Sequence, residues 1–404
     1  MIQERRWRYH APTMDSRWLA LTLIFVTRTS MGVQFQSIAS VGPLIVTDLG
    51  LSYAQVGTLL GLYLLPGVAL ALPGGLLGQR LGGRRALVGS LAVMVVGGLV
   101  TAWSDGFAGA AVGRVLSGSG AVLMNILLVK VTADWFAGRE MATAMAVMLT
   151  AWPVGLGLAA ASLGGLATAT SWRTSLVVAA APAALGLVLM ASVFREAPQR
   201  AAPGARAALG ARDTGLALAS GLAWGVFNAS LVAVIAFGPA MLVARGVSLG
   251  QAGFEVSLAI WVTIVSVPLG GVLSDRVGRP NAFIVAGSLA GAALLGALPT
   301  MPAAAVGLLL VGMVIGAPPG PLTSLLPRAL EPERLATGLG VSYTIYYLIM
   351  AAVQPAAGLL RDRTGDPATP VRFAAVAMAT TVVGLAAFRL IARRAAATSR
   401  STRP

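Results

Sequence analysis

The sequence has no cysteine, a single histidine, a single lysine and only 14 acidic residues in 404. Without cysteine, disulfides and thiolate chemistry are excluded. His10 stands in a polar N-terminal stretch, so no imidazole is available deeper in the chain for metal binding or proton transfer. Carboxylates are not clustered, which leaves a membrane enzyme without its acid–base pair. No G-x-x-x-x-G-K-[ST] run occurs, so ATP cannot supply energy through this chain. The first twenty residues carry Arg5, Arg6, Arg8 and Arg17 with no apolar core or small-residue cleavage site, so no cleavable signal is expected. Charged residues make up 11%, against about 25% in soluble domains.

What remains is hydrophobic: 57% of the residues, with a mean hydropathy of +0.82. A soluble fold could not cover itself with so little polar surface, so a lipid bilayer must be its solvent. Crossing the hydrocarbon as a helix takes about 20 apolar residues. Twelve runs qualify, near 18–41, 52–78, 86–104, 107–132, 141–167, 173–194, 214–239, 250–274, 281–299, 303–326, 336–361 and 371–392. The reading is an all-α membrane protein of twelve transmembrane helices. Its parts are an N-tail (1–17), a six-helix bundle (18–194), a linker rich in Arg, Ala, Pro and Gly (195–213), a second bundle (214–392) and a C-tail (393–404).

The net charge of +15 would suggest nucleic acid in a soluble protein. Here the basic residues bracket apolar runs, and no nucleic-acid partner is expected. Twenty-one of the 29 fall on the side of the two tails, five on the other (Arg173, Arg245, Arg361, Arg363 and Arg372), and Arg28, Arg114 and Lys130 lie within helices. That bias predicts cytoplasmic termini in a bacterial inner membrane.

The halves repeat. Gly42-Pro43 recurs as Gly238-Pro239, the trio Ser52, Gln55, Gly57 as Ser248, Gln251, Gly253, and Gly75-x-Leu77 as Gly271-x-Leu273, all 196 residues on. Ala142-Thr143 and Gly164 recur 194 residues on, as Ala336-Thr337 and Gly358. Duplicated six-helix halves with a midplane site between them are a transporter architecture.

The loop after the eighth run reads Gly271-Val-Leu273-Ser-Asp275-Arg276-Val-Gly278-Arg279. It resembles the major facilitator signature G-x-L-x-D-R-x-G-R. A first copy, Gly75-Leu-Leu77-Gly-Gln79-Arg80-Leu-Gly82-Gly83-Arg84-Arg85, has Gln79 in place of the acid. Arg114-Val-Leu-Ser-Gly118-Ser-Gly120 is similar to that family's R-x-x-x-G-x-G. The resemblance spans essentially the whole chain and implies the major facilitator fold, alternating access, no cofactor and a monomer. It assigns Gly75, Arg80, Arg84, Asp275, Arg276 and Arg279 to gating on the tail side, with Asp134 and Glu140 as expected partners of Arg80 and Arg84. The alternative is that these charges only set topology. Residues 113–140 are most similar to the cyanate and nitroimidazole branch and its nitrate-transporter-like relatives.

Arg28 is the most informative residue. It lies eleven positions past Arg17, about 16 Å along a helix and so near mid-bilayer. A charge there needs a wet cavity or a counter-ion. Either it binds an anionic substrate through its planar fork, or it is a structural charge paired with an acid or with helix carbonyls. Only Glu255 falls well inside an apolar run, near the opposite end of its helix. The repeat maps Arg28 onto Trp224 and Gly32 onto Asn228, so both are expected to face the cavity if Arg28 does; ordinary packing is the competing reading for Trp224. Arg114 shares a helical face with Gly118 and Asn125, and is either a proton-coupling residue, as the resemblance implies, or a clamp. Lys130 either snorkels to the interface or relays anions. Tyr343, Tyr347, Met350 and Gln354 form one stripe, whose polar groups would be unsatisfied in lipid and so should line the cavity unless they pack against helices. Trp152-Pro153 would kink the fifth run beside the site.

The leading function is secondary transport of a small anion or small planar polar solute. The alternative is proton-coupled efflux of a drug or metabolite, favoured if transport survives Arg28→Ala. A transporter-like sensor is a third class, but such proteins carry an added soluble domain that this sequence does not display.

Overall fold

The computed structural model describes residues 14–71, 83–136, 140–196 and 208–401. The described chain is helical throughout. In order the helices are α1 (Met14–Leu49), α2 (Tyr53–Leu70), α3 (Gly83–Ala102), α4 (Phe107–Trp135), α5 (Met141–Ala169), α6 (Trp172–Ser192), α7 (Ala211–Val243), α8 (Leu249–Val277), α9 (Pro280–Ala297), α10 (Ala304–Ser324), α11 (Pro332–Thr364) and α12 (Thr369–Ser401). The face from which α1 starts and at which α12 ends is called the chain-end face below, and the opposite one the far face.

Eleven of these helices are long and apolar enough to cross a membrane, and α1 is the exception. Its polar residues explain why. Ser30, Gln34, Gln36, Ser37 and Ser40 are all buried, with Gln34 donating to the Met94 carbonyl at 3.3 Å and Ser40 to that of Ala159 at 3.1 Å. A helix surrounded by other helices can spend polar groups on them, whereas one facing lipid cannot. α1 also runs past its expected end at 41, through Pro43, and stops only where Gly50 turns left-handed at φ +62°.

α1 packs along α5 and α6, and α3 along α4 and α6; in the second half α7 packs along α11 and α12, and α9 along α12. The halves meet mainly through three pairs: α1 with α7, α2 with α11, and α5 with α8.

The sequence repeat becomes physical at these seams. Ser52 and Gln55 cap each other reciprocally at the start of α2, and Ser248 accepts from the Gln251 amide at the start of α8. One turn further, Gly57 lies against the Gln354 carbonyl and Gly253 against that of Ala160, so close that any Cβ would collide with backbone. Gly358 meets the Tyr53 backbone just as closely, and its counterpart Gly164 lies against Leu249 with a little more room. Two of the duplicated glycine pairs, Gly57 with Gly253 and Gly164 with Gly358, therefore lie where the two bundles touch, whereas Gly42 and Gly238 each pack within their own half.

Candidate functional site

Side chains from both halves converge on Arg28. The residue is 8% exposed, and its Nε and Nη1 are buried without a hydrogen-bond partner. No carboxylate pairs with it among the described residues; the groups that interact with it electrostatically are the hydroxyls of Tyr347, Tyr343 and Tyr346 on α11. From α4, Asn125 faces the Tyr347 hydroxyl and leaves its own Oδ1 buried and unpartnered. From α7, Trp224 stacks on Tyr346 (centroids 6.3 Å apart, 20° between planes) and on Phe227 (5.9 Å, 11°). Tyr346 meets both Tyr343 and Tyr347 edge-on, at 5.8 and 5.1 Å. The result is an unpaired guanidinium beside a bank of aromatic rings.

The stripe on α11 gives the site a direction. Exposure falls from 44% at Tyr343 to 7% at Tyr347, 1% at Met350 and 0% at Gln354. The stripe is thus accessible towards the chain-end face and sealed towards the far face. Gln354 differs from the expectation of a cavity-facing amide. It lies in the α2–α11 seam and donates to the Ala229 carbonyl at 3.2 Å. Asn228 also spends a side-chain N–H on its own helix, at the Trp224 carbonyl, 2.9 Å away.

Trp152 belongs to a second cluster. Its ring lies 5.5 Å from Phe35, and Phe35 meets Tyr63 at 5.7 Å. Arg114 sits 4.3 Å over the Tyr63 ring and donates to three carbonyls: Leu59 at 3.0 Å, Gln34 at 2.8 Å and Phe35 at 3.4 Å. That geometry ties α4 to α1 and α2.

The expected tail-side lock is built differently. Gly75 and Arg80 lie outside the described residues. Asp134 pairs with Lys130 at 3.6 Å, one helical turn away, and Glu140 with Arg17 at 3.0 Å, so neither serves Arg84. Arg84 instead donates to the Met190 and Ala191 carbonyls at the end of α6, capping that helix. Lys130 thus sits as a partly exposed helix-surface pair. In the second half Asp275 pairs with Arg328 at 3.2 Å. Gly278 (φ +68°) closes α8, and Arg279 stands at the N-cap position of α9 without a side-chain capping bond; no ion pair involves Arg276 or Arg279 among the described residues.

Sequence reasoning missed Tyr346, which joins Trp224 to the other two tyrosines. The i, i+4 count selected Tyr343 and Tyr347 and passed over the residue between, although an aromatic triplet so close to Trp224's helix was a usable signal. It also missed Tyr63, whose ring carries Arg114 and whose hydroxyl donates to the Met31 carbonyl at 3.2 Å.

The far face is held by α11 and α2. Asp362 accepts from the Tyr53 and Ala54 amides at 2.9 and 2.7 Å, and Arg361 lies 3.4 Å over the Tyr53 ring. A carboxylate on two free amides at a helix start is a charge-assisted contact between the halves. Asp362→Ala is expected to loosen it by about 1.5 kcal/mol, or about tenfold in the closed-to-open ratio. The cysteine-free chain makes this measurable: a thiol placed by Met350→Cys should react about tenfold faster with an impermeant maleimide in the Asp362→Ala background. Equal rates would mean that the contact does not hold the seam.

The profile of the Major Facilitator Superfamily matches residues 21–351. The chain is 30% identical to the 3-(3-hydroxy-phenyl)propionate transporter of Escherichia coli, over 95% of this chain and 96% of that protein. It is 26% identical to an uncharacterised transporter of Bacillus subtilis, covering 90% and 91%. Its fold is similar to the inward-open xylose transporter of E. coli, with a TM-score of 0.75 at 13% identity over 92% and 95% of the two chains. Two facing bundles, a polar first helix inside them, seams built on duplicated glycines and a family match over most of the length have one reading: this chain belongs to the Major Facilitator Superfamily and is a membrane transporter, not an enzyme.

Proposed function

We propose that the chain carries a small, planar anion by secondary transport, binding it at Arg28 between the bundles 18–194 and 214–392. The observation that carries the reading is the buried Arg28 guanidinium with two N–H-bearing nitrogens unpartnered and no acid beside it. A cation kept in that state is costly unless something arrives to neutralise it. A carboxylate or similar oxyanion would meet the fork, while the Trp224–Tyr346 stack offers a flat surface to the rest of the molecule. A phenylpropionate, named for the E. coli relative, has that combination of ring and carboxylate; cyanate and nitrate have the charge and planarity without the ring.

The bundles would exchange access by rocking about the two glycine seams, α2 with α11 and α5 with α8, and the α1–α7 contact. The present state is closed at the far face, where Asp362 holds α2, and accessible from the chain-end face at Tyr343. With both termini cytoplasmic in a bacterial inner membrane, as the basic-residue bias favours, this is an inward-facing state.

The test is counterflow in proteoliposomes with a panel of labelled anions (cyanate, nitrate, nitrite, formate, oxalate, short aliphatic and phenyl carboxylates), with and without a pH gradient. At least one anion should exchange above empty liposomes. If none does, and a neutral or cationic compound does, the efflux alternative replaces this reading.

A further inference from the structure

The second bundle has a cavity of about 260 Å³ at its chain-end face, away from the Arg28 site. It lies where α7 and α9 start and α10 and α12 end. Its polar wall is three arginines, Arg212, Arg328 and Arg389, and its apolar wall includes Leu325 and Phe388. No acid lines it.

The charges around it do not balance. Asp213 is shared by Arg212 at 3.4 Å and Arg334 at 2.8 Å. Asp275 meets Arg328 at 3.2 Å, with both side chains more than half exposed. Arg389 has only a neutral partner, the Asn281 side-chain oxygen, to which its Nε and Nη2 donate at 3.1 and 2.5 Å. It also feels the like charges of Arg328 and Arg393. Five guanidiniums, Arg212, Arg328, Arg334, Arg389 and Arg393, thus gather around two carboxylates among the described residues. Such a cluster is held together at a cost unless an anion with several acceptor oxygens joins it.

We propose that this cavity is a binding site for a phosphate group. A phosphate presents enough oxygens for the three arginines that line the cavity, and the helix ends place it at headgroup depth. The apolar wall beside the arginines suits the glycerol and upper acyl chain of an anionic phospholipid, which is the source the geometry favours over free phosphate. The site is independent of the transported solute.

The test is native mass spectrometry of the full chain released from phosphatidylcholine nanodiscs, from nanodiscs of phosphatidylcholine with phosphatidylglycerol, and from phosphatidylcholine nanodiscs supplied with inorganic phosphate. One phosphatidylglycerol should remain bound per chain. In the double variant Arg328→Gln, Arg389→Gln its affinity should fall about tenfold or more, with most of the binding kept in Arg328→Lys, Arg389→Lys, which preserves charge. The far-face variant Arg245→Gln should leave it unchanged. Retention of inorganic phosphate alone, lost in the same double variant, would support the site with free phosphate as its source. Retention of neither, or equal loss in Arg245→Gln, would overturn it.

Discussion

Replacing Arg28 by methionine is expected to abolish transport and, at the same time, to raise the melting temperature. The two effects have one cause. Arg28 has no acid partner among the described residues, and its buried Nε and Nη1 donate to nothing there. For an ion that serves packing, loss of the side chain strands its partner and destabilises by about 3–5 kcal/mol. Here no partner is stranded. An apolar side chain of similar length removes the desolvation penalty and gains about 1 kcal/mol or more. For the bound anion the sign reverses: its carboxylate would lose a charge-assisted fork in a water-poor cavity, about 3 kcal/mol or more, so affinity should drop at least about a hundredfold. Arg28→Lys keeps the charge and loses the planar fork, and should fall between. Counterflow and a thermal melt on the same preparations read both signs. Unchanged uptake would remove the anion site, and a lowered melting temperature would make Arg28 a structural charge.

Much of this was legible from residue order alone, for reasons that differ by element. The helices could be placed because a bilayer imposes length and hydropathy together; α1 was found from its apolar run after Arg17, but that run ends near 41 and did not foretell the turn at Gly50. The repeat was visible as identities at a fixed offset, but its meaning was not. Gly57 and Gly253 turn out to be contacts with the opposite half, and only the three-dimensional seam explains why a side chain is excluded there. Depth along α1 marked Arg28, since counting from Arg17 needs no knowledge of neighbours. Partners did require that knowledge. Arg84 was matched to acids on a nearby loop, whereas the carbonyls at the end of α6, more than a hundred residues away, are what it reaches. Lys130 and Asp134 are four apart on one helix, a spacing that offered this pair, yet Asp134 was matched to Arg80 and Arg84 instead. Gln354 misled because an amide on a cavity-facing stripe and an amide sealing a helix seam have the same periodicity.

Arg114 is the counter-case to Arg28, and its substitution is expected to act in the opposite direction. It is 2% exposed and fully engaged, with three carbonyls of α1 and α2 as acceptors and the Tyr63 ring beneath it. Arg114→Ala removes several charge-assisted bonds and a desolvated cation–π contact, each about 1.5–2 kcal/mol. It also opens a cavity among buried residues, while removing the desolvation cost of the buried cation offsets part of the loss, so the net effect should be a loss of about 3–5 kcal/mol and a severely reduced folded yield. Arg114→Lys should not rescue it, because one ammonium cannot address three carbonyls set out for a planar fork. The consequence goes beyond stability. α1 and α2 supply the first half's contacts to α7 and α11, and Arg114 fixes these two helices to α4 as one body. A bundle that flexes internally cannot rock as a unit, so any folded Arg114→Lys protein should bind anion nearly normally yet exchange it slowly. A variant that melts like the parent and loses only its response to a pH gradient would instead make Arg114 a proton-coupling residue.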